Sequence, residues 1–117
     1  MEAGHELSSP LGRITISSDA IGQIVSQTAA ECYGVVGMSG RGRVGRLLAR
    51  GREKQGIEIG GNGTGVTIDL YVVVEYGLNL AEVAGSVRSR VAYEVERLTG
   101  LTVAAVEVHI QDVRRSA

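Results

Sequence analysis

The chain has 117 residues and a formal net charge of −1, a length that fits one domain of ordinary size. It contains no Phe and no Trp, so an aromatic platform for stacking the bases of single-stranded nucleic acid is effectively excluded. Its single cysteine, Cys32, excludes a disulfide framework or a multi-cysteine zinc site within one chain. The core must therefore be built from Val, Ile, Leu and Ala, which favours thin, close-packed layers of sheet and helix.

The first residues carry no apolar run. Glu2, Glu6 and Pro10 interrupt residues 1–11, which predicts a flexible tail and no signal peptide. The longest apolar run, Leu70 to Val74, is far too short to span a bilayer. We therefore expect a cytoplasmic protein with no transmembrane segment of its own.

The first half of the domain predicts a strand, a helix and a second strand. Polar and apolar residues alternate from Arg13 to Ile16, as in a short strand. Ser17 or Ser18 can cap a helix, and Gly34 ends it. A buried helical stripe is predicted for Ile21, Ile24, Val25, Thr28, Ala29 and Cys32. Val35 to Met38 then favours a second strand.

The second half predicts a hairpin, a long helix and a last strand. Ile57 and Ile59 bracket a third strand, and Asn62-Gly63 is a strong hairpin signal. The fourth strand alternates clearly, with one apolar face made by Val66, Ile68, Leu70, Val72 and Val74. A helix capped by Asn79 follows, with an apolar stripe of Leu80, Val83, Ala84, Val87, Val91, Val95 and Leu98. In the last strand the inward residues are Val106, Val108 and Ile110.

These elements predict an α+β fold in the order β-α-β-(α)-β-β-α-β. The simplest architecture is a two-layer sandwich, with two long helices on one face of a mixed sheet. Residues 12–114 form a single domain in this interpretation, with an Arg/Gly-rich insert at residues 40–56. The opposite sheet face is either solvated or faces a partner, since it carries Asp69, Glu75, Glu107 and His109.

The insert begins with a sequence pattern that is typical of a phosphate-binding loop. Residues Gly40 to Gly45 match G-x-G-x-x-G, and Glu58 lies near the offset of a ribose-binding acid. The short helix predicted around 44–50 is broken by glycine, however, and the chain then enters a hairpin where a dinucleotide fold needs another strand–helix unit. A basic flexible loop explains these glycines better than a nucleotide site.

Basic residues cluster in the same insert. Between residues 41 and 54 the net charge is +5, which leaves −6 for the rest of the chain. Such a patch can bind nucleic acid phosphates, anionic lipid or an acidic protein face, or it can be a solvated charged loop. The candidate partner-binding or anion-binding residues are Arg41, Arg43, Arg46, Arg50, Arg52 and Lys54. If they bind an anion, affinity falls steeply with salt.

No arrangement of residues predicts catalysis. Cys32 ends a helical stripe, which favours an inert core thiol. His5 lies in the tail and His109 on an outward strand face, and two histidines make no metal site without carboxylates of known position. No nucleophile-elbow spacing surrounds any serine. The expectation is a protein that is not an enzyme and that has no cofactor or metal.

Several ordered blocks resemble the bacterial alkaline shock protein family. The similar segments are Gly12–Ser17, Glu31–Met38, Val66–Gly77 and Leu101–Arg114. The chain looks closest to the short, single-domain members of that family. The resemblance implies a non-enzymatic protein linked to envelope or alkaline stress, or to lipid metabolism, and it brings no catalytic motif. The insert from Gly40 to Lys54 has no matching block.

Composition and resemblance together predict a cytoplasmic scaffold or binding protein in cell-envelope stress or lipid homeostasis. Its expected partner is a protein, with a membrane-anchored or a lipid-metabolism protein as the candidates. Self-association into a homo-oligomer is the alternative, and the sequence leaves the oligomeric state open. The alternative function is binding of an anionic ligand, nucleic acid or anionic membrane, through the Arg-rich segment. A small nucleotide-binding enzyme is the third hypothesis.

Overall fold

The computed structural model of the protein describes residues 4–38 and 56–115. Within these residues the elements are β1 Gly4–Ser9, β2 Gly12–Ser17, α1 Ser18–Glu31, β3 Val35–Met38, β4 Ile57–Asn62, β5 Gly65–Glu75, α2 Leu80–Thr99 and β6 Val103–Arg114. The helix predicted around 44–50 lies outside the described residues, as does the insert up to residue 55.

The long strand β5 is the centre of a four-stranded sheet. It pairs antiparallel with β3 and with β4 along one edge, and parallel with β6 along the other. The connection from β5 through α2 to β6 is the crossover that a parallel neighbour requires. The predicted mixed sheet is therefore confirmed.

Both helices pack on one face of this sheet. The even-numbered residues of β5 from Val66 to Val74 point into a shared core with Ile21 and Val25 of α1 and with Val87 of α2, all almost fully buried. The α+β two-layer sandwich is confirmed. The predicted stripe on α2 was too long, because Leu80 and Leu98 at its ends are 39% and 53% exposed.

Both helices begin at a predicted cap, but α1 ends at Glu31, three residues before the predicted stop at Gly34. Ser17 Oγ accepts a hydrogen bond from Ala20 N at 3.0 Å, and Asn79 Oδ1 accepts one from Glu82 N at 3.0 Å. Each bond satisfies one of the backbone N–H groups that a helix start leaves without a partner. Gly100 ends α2 in the left-handed region at φ 77°, where glycine is favoured.

The N-terminal segment departs from the prediction. Residues Gly4–Ser9, expected to belong to a flexible tail, form β1 and pair antiparallel with β2 in a separate two-stranded sheet. The predicted first strand thus lies outside the main sheet. Leu7 packs against the core, and His5 Nε2 lies 3.1 Å from Ser18 Oγ. Since Leu7 is the single large apolar residue of β1, apolar periodicity could not reveal this strand.

The β4–β5 hairpin leads directly into the parallel pairing with β6. Asn62 pairs with Gly65 across the predicted turn, and Asn62 Oδ1 accepts hydrogen bonds from both the backbone N and the Oγ1 of Thr64. Immediately afterwards, Val66 N donates to Thr102 O at 2.9 Å. The first residues of β5 therefore pair with the end of β4 and lie beside the start of β6.

Candidate functional site

The sheet face opposite the helices presents a row of acidic residues on three adjacent strands. Glu58 of β4 is opposite Asp69 of β5, and Asp69 is in turn opposite Glu107 of β6. Tyr71 and His109 form the next pair along β5 and β6. Because side chains on a strand alternate between faces, all five point to the outward side. The fold thus gathers residues that are up to 51 positions apart in the chain.

His109 connects two of these carboxylates. Its Nε2 lies 3.1 Å from Asp69 Oδ1 and 3.9 Å from Glu107 Oε1. The side chains of His109 and Asp69 are about one-third exposed, at 36% and 35%, while Glu107 is 69% exposed. We call Asp69, Glu107 and His109 the outer-face triad. It offers one imidazole nitrogen and two carboxylates, all within 4.8 Å of one another.

Tyr71 holds the imidazole in place. Its ring stacks on that of His109 with 4.5 Å between the centroids and 12° between the planes. Stacking of this kind restricts the rotation of both side chains. The His109 ring is therefore fixed from one side by Tyr71 and at its Nε2 edge by Asp69.

Sequence reasoning placed Asp69, Glu107 and His109 on one outward face but did not bring them together. Alternation along a strand gives the face of each residue, whereas the pairing of β5 with β6 and its register decide which side chains touch. From the sequence alone, no carboxylate had a known position relative to either histidine, and the structure places Asp69 and Glu107 beside His109. The spacing Glu107-x-His109 was the available signal, since residues two apart on a strand share a face.

The basic residues predicted to bind an anion are not described by the structure. Arg41, Arg43, Arg46, Arg50, Arg52 and Lys54 all lie between residues 39 and 55. Their role as a binding segment stays a prediction. The G-x-G-x-x-G letters at 40–45 lie outside the described residues as well.

Cys32 lies in the core at the end of α1. Its side chain is 5% exposed, and its Sγ donates to Thr28 O at 3.3 Å. Burial raises the pKa of the Cys32 thiol, although the positive charge of Arg90 acts in the opposite direction. A nucleophilic cysteine needs a lowered pKa and access to its substrate. The geometry fits the predicted inert thiol.

Cys32 should accordingly resist modification in the folded protein. At pH 7.5 we expect a disulfide thiol reagent to label it at least about tenfold more slowly in buffer than in denaturing urea, because the thiolate is both scarce and covered. Absorbance of the released thiol measures both rates. Equal rates in the two conditions would show that the thiol is accessible and reactive.

In the described part of the chain, neither α1 nor α2 is both long and apolar enough to cross a bilayer.

Comparison with known proteins identifies relatives over most of the chain. A protein from Bacillus subtilis (strain 168), YloU, is 33% identical over 113 residues, which covers 93% of this chain and 94% of YloU. Spy1614 from Streptococcus pyogenes serotype M6 is 31% identical over 107 residues and 88% of each chain. A Streptococcus pyogenes relative called a stress response regulator gls24 homolog is 26% identical over 106 residues, which make up 88% of this chain and 59% of that protein.

One solved structure illustrates the similarity of shape. MamM CTD H264E has a TM-score of 0.49 and 13% sequence identity, and the match covers 80% of this chain and 93% of that one. This similarity is too low to bear on function.

The family assignment comes from a match to a whole-family sequence model. That model matches residues 6–115 and describes the alkaline shock protein 23 family, with a cell envelope-related function. The stress response regulators among the relatives agree with it. Together they confirm the resemblance to the alkaline shock proteins. The chain belongs to the alkaline shock protein 23 family, which is described as having a cell envelope-related function.

Proposed function

We propose that this chain is a non-enzymatic scaffold protein in cell-envelope homeostasis, which acts in the cytoplasm by binding a membrane-anchored or lipid-metabolism protein. The observation that carries the proposal is the family match over residues 6–115, because it ties nearly the whole chain to the envelope.

The chemistry of the described side chains supports a binding role. Cys32 is buried and its thiol pKa is raised, so it is a poor nucleophile. A hydrogen bond from Arg97 lowers the pKa of the Glu94 carboxyl, whereas a general acid at neutral pH needs a raised one. Cys32 therefore contributes to core packing, and Glu94 forms a surface ion pair with Arg97.

The sheet offers a surface for a protein partner. In the part of the chain that the structure describes, β6 pairs with β5 along one edge and with no strand along the other. This edge is 12 residues long and presents backbone donors and acceptors in a row. Partners commonly add a strand to such an edge, and the neighbouring side chains then provide specificity. The same edge allows two copies of the chain to associate.

Affinity capture at native expression level tests the proposal. With a small tag on the chain, we expect quantitative mass spectrometry to recover a protein of the envelope or of lipid metabolism, relative to a tag-only strain. Sedimentation of the purified chain should show self-association as its concentration rises. Recovery of no such partner, together with a monomer at high concentration, would overturn the scaffold.

A further inference from the structure

The outer-face triad brings together donor atoms that suit a metal ion. Asp69 and Glu107 lie directly opposite each other on β5 and β6, with Glu58 across from Asp69 on the other side. Like charges directly opposite each other on a sheet are destabilising. A bound cation would offset this repulsion, and the imidazole of His109 adds a nitrogen donor that an acidic surface row ordinarily lacks.

We propose that Asp69, Glu107 and His109 bind a borderline divalent transition-metal ion such as Zn²⁺. Imidazole nitrogen and carboxylate oxygen are ordinary ligands of this ion, with bonds of about 2.0–2.2 Å. Two ligands at that distance from a tetrahedral ion are about 3.3–3.6 Å apart.

The separations in the triad bracket that value. His109 Nε2 is 3.1 Å from Asp69 Oδ1 and 3.9 Å from Glu107 Oε1. Glu107 is the most exposed of the three, at 69%, so its side chain has room to rotate toward the other two ligands. Three protein ligands leave at least one coordination position, which faces outward and is open to water or to a donor from a partner protein.

Support around the triad favours a defined site over a loose surface cluster. Two neighbouring strands carry all three ligands, and backbone pairing fixes Asp69 opposite Glu107. The stacked ring of Tyr71 fixes the plane of His109. Ligands held on rigid elements by their neighbours bind metal more tightly than ligands on mobile loops.

The choice of metal follows from the donors. Mg²⁺ prefers an octahedral shell of oxygens and keeps its waters, so an imidazole contributes little to its binding. Zn²⁺ accepts nitrogen and oxygen ligands in a tetrahedral shell. We therefore expect Zn²⁺ to bind far more tightly than Mg²⁺, and the difference to depend on His109.

Calorimetric titration of the full-length chain with ZnCl₂ tests this site, after any histidine tag has been removed. We expect one ion per chain. His109→Asn and Asp69→Asn should each weaken binding at least about tenfold, as expected for loss of a group that holds the metal. His5→Asn is the matched control, because His5 lies in β1 and contacts Ser18, and it should leave the affinity unchanged.

Glu107→Gln is a second variant, which distinguishes loss of a metal ligand from loss of the fold. Glu107→Gln changes an exposed side chain, so circular dichroism should show an intact fold while Zn²⁺ affinity falls. The inference is wrong if wild-type protein binds no Zn²⁺, if His109→Asn binds as tightly as wild type, or if Mg²⁺ binds equally well. The triad would then be only a cross-strand hydrogen bond, and the proposed scaffold role, which capture experiments test, would be unaffected.

Discussion

Leu70→Ala is expected to lower the free energy of unfolding by about 2–5 kcal/mol, the range for removing a fully buried leucine side chain. Leu70 is 0% exposed in the middle of β5, and its neighbours across the sheet are Ile57 and Val108. The substitution leaves a cavity between the sheet and both helices. Because domains of this size are stable by roughly 5–15 kcal/mol, the loss should be plain in a urea titration followed by circular dichroism.

Leu11→Ala provides the control for Leu70→Ala. Leu11 is fully exposed in the turn between β1 and β2, so the same chemical change should alter stability by no more than about 0.5 kcal/mol. Similar losses for the two variants would mean that β5 does not form the centre of the core.

Gly65→Ala is the second substitution with a large expected effect. Gly65 has φ 147°, a conformation that side chains rarely adopt, and an added Cβ would lie 2.4 Å from the backbone oxygen of Thr102. Strained backbone of this kind costs about 1–3 kcal/mol, and the overlap with Thr102 adds to it. The backbone has to shift at the point where Val66 N donates to Thr102 O, so the parallel pairing with β6 should weaken.

Gly63→Ala separates this effect from a general loss of glycine in the turn. Gly63 lies two residues earlier, and an added Cβ there meets no atom within 4 Å. In thermal unfolding, the melting temperature of Gly63→Ala should lie within a few degrees of the wild-type value. The melting temperature of Gly65→Ala should be clearly lower. If the two variants have the same melting temperature, the close approach of β5 to residue 102 does not constrain the fold.

The elements that sequence predicted best are those with sustained periodicity. In β5, five alternating apolar residues fit a strand buried on one face by helices, and in α2 the valines recur at helical spacing between two capping residues. Both patterns are long enough to exclude other structures. Leu80 and Leu98 were predicted with the stripe on α2, yet both are exposed, whereas Val83, Val87, Val91 and Val95 between them are buried.

Apolar periodicity could not predict the N-terminal hairpin or the outer-face triad. Strand β1 is held by backbone pairing with β2 and by Leu7, so its sequence resembles a polar tail. The contact of Asp69 with His109 requires a parallel neighbour in one specific register. That register also shifts between Val72 and Val73, where Ile110 and Asp112 are successive partners and Gln111 has none in the register. Alternation alone does not locate such a bulge.

The predicted basic segment and the proposed scaffold role concern different parts of the molecule. Residues 41–54 carry the positive charge, whereas the described outward face carries carboxylates. A partner bound at the β6 edge would therefore meet the acidic face and the triad. The two binding hypotheses therefore rest on different residues and can be tested by separate substitutions.

Photo-crosslinking inside cells tests the scaffold most directly. A benzoyl-phenylalanine at Ala105, an exposed outward residue of β6, should crosslink to an envelope or lipid-metabolism protein. The same probe at Tyr93, which is 63% exposed on α2, should not. Mass spectrometry of the crosslinked bands identifies the partner. Absence of any product at Ala105, or identical products from both positions, would contradict a scaffold that binds through this sheet.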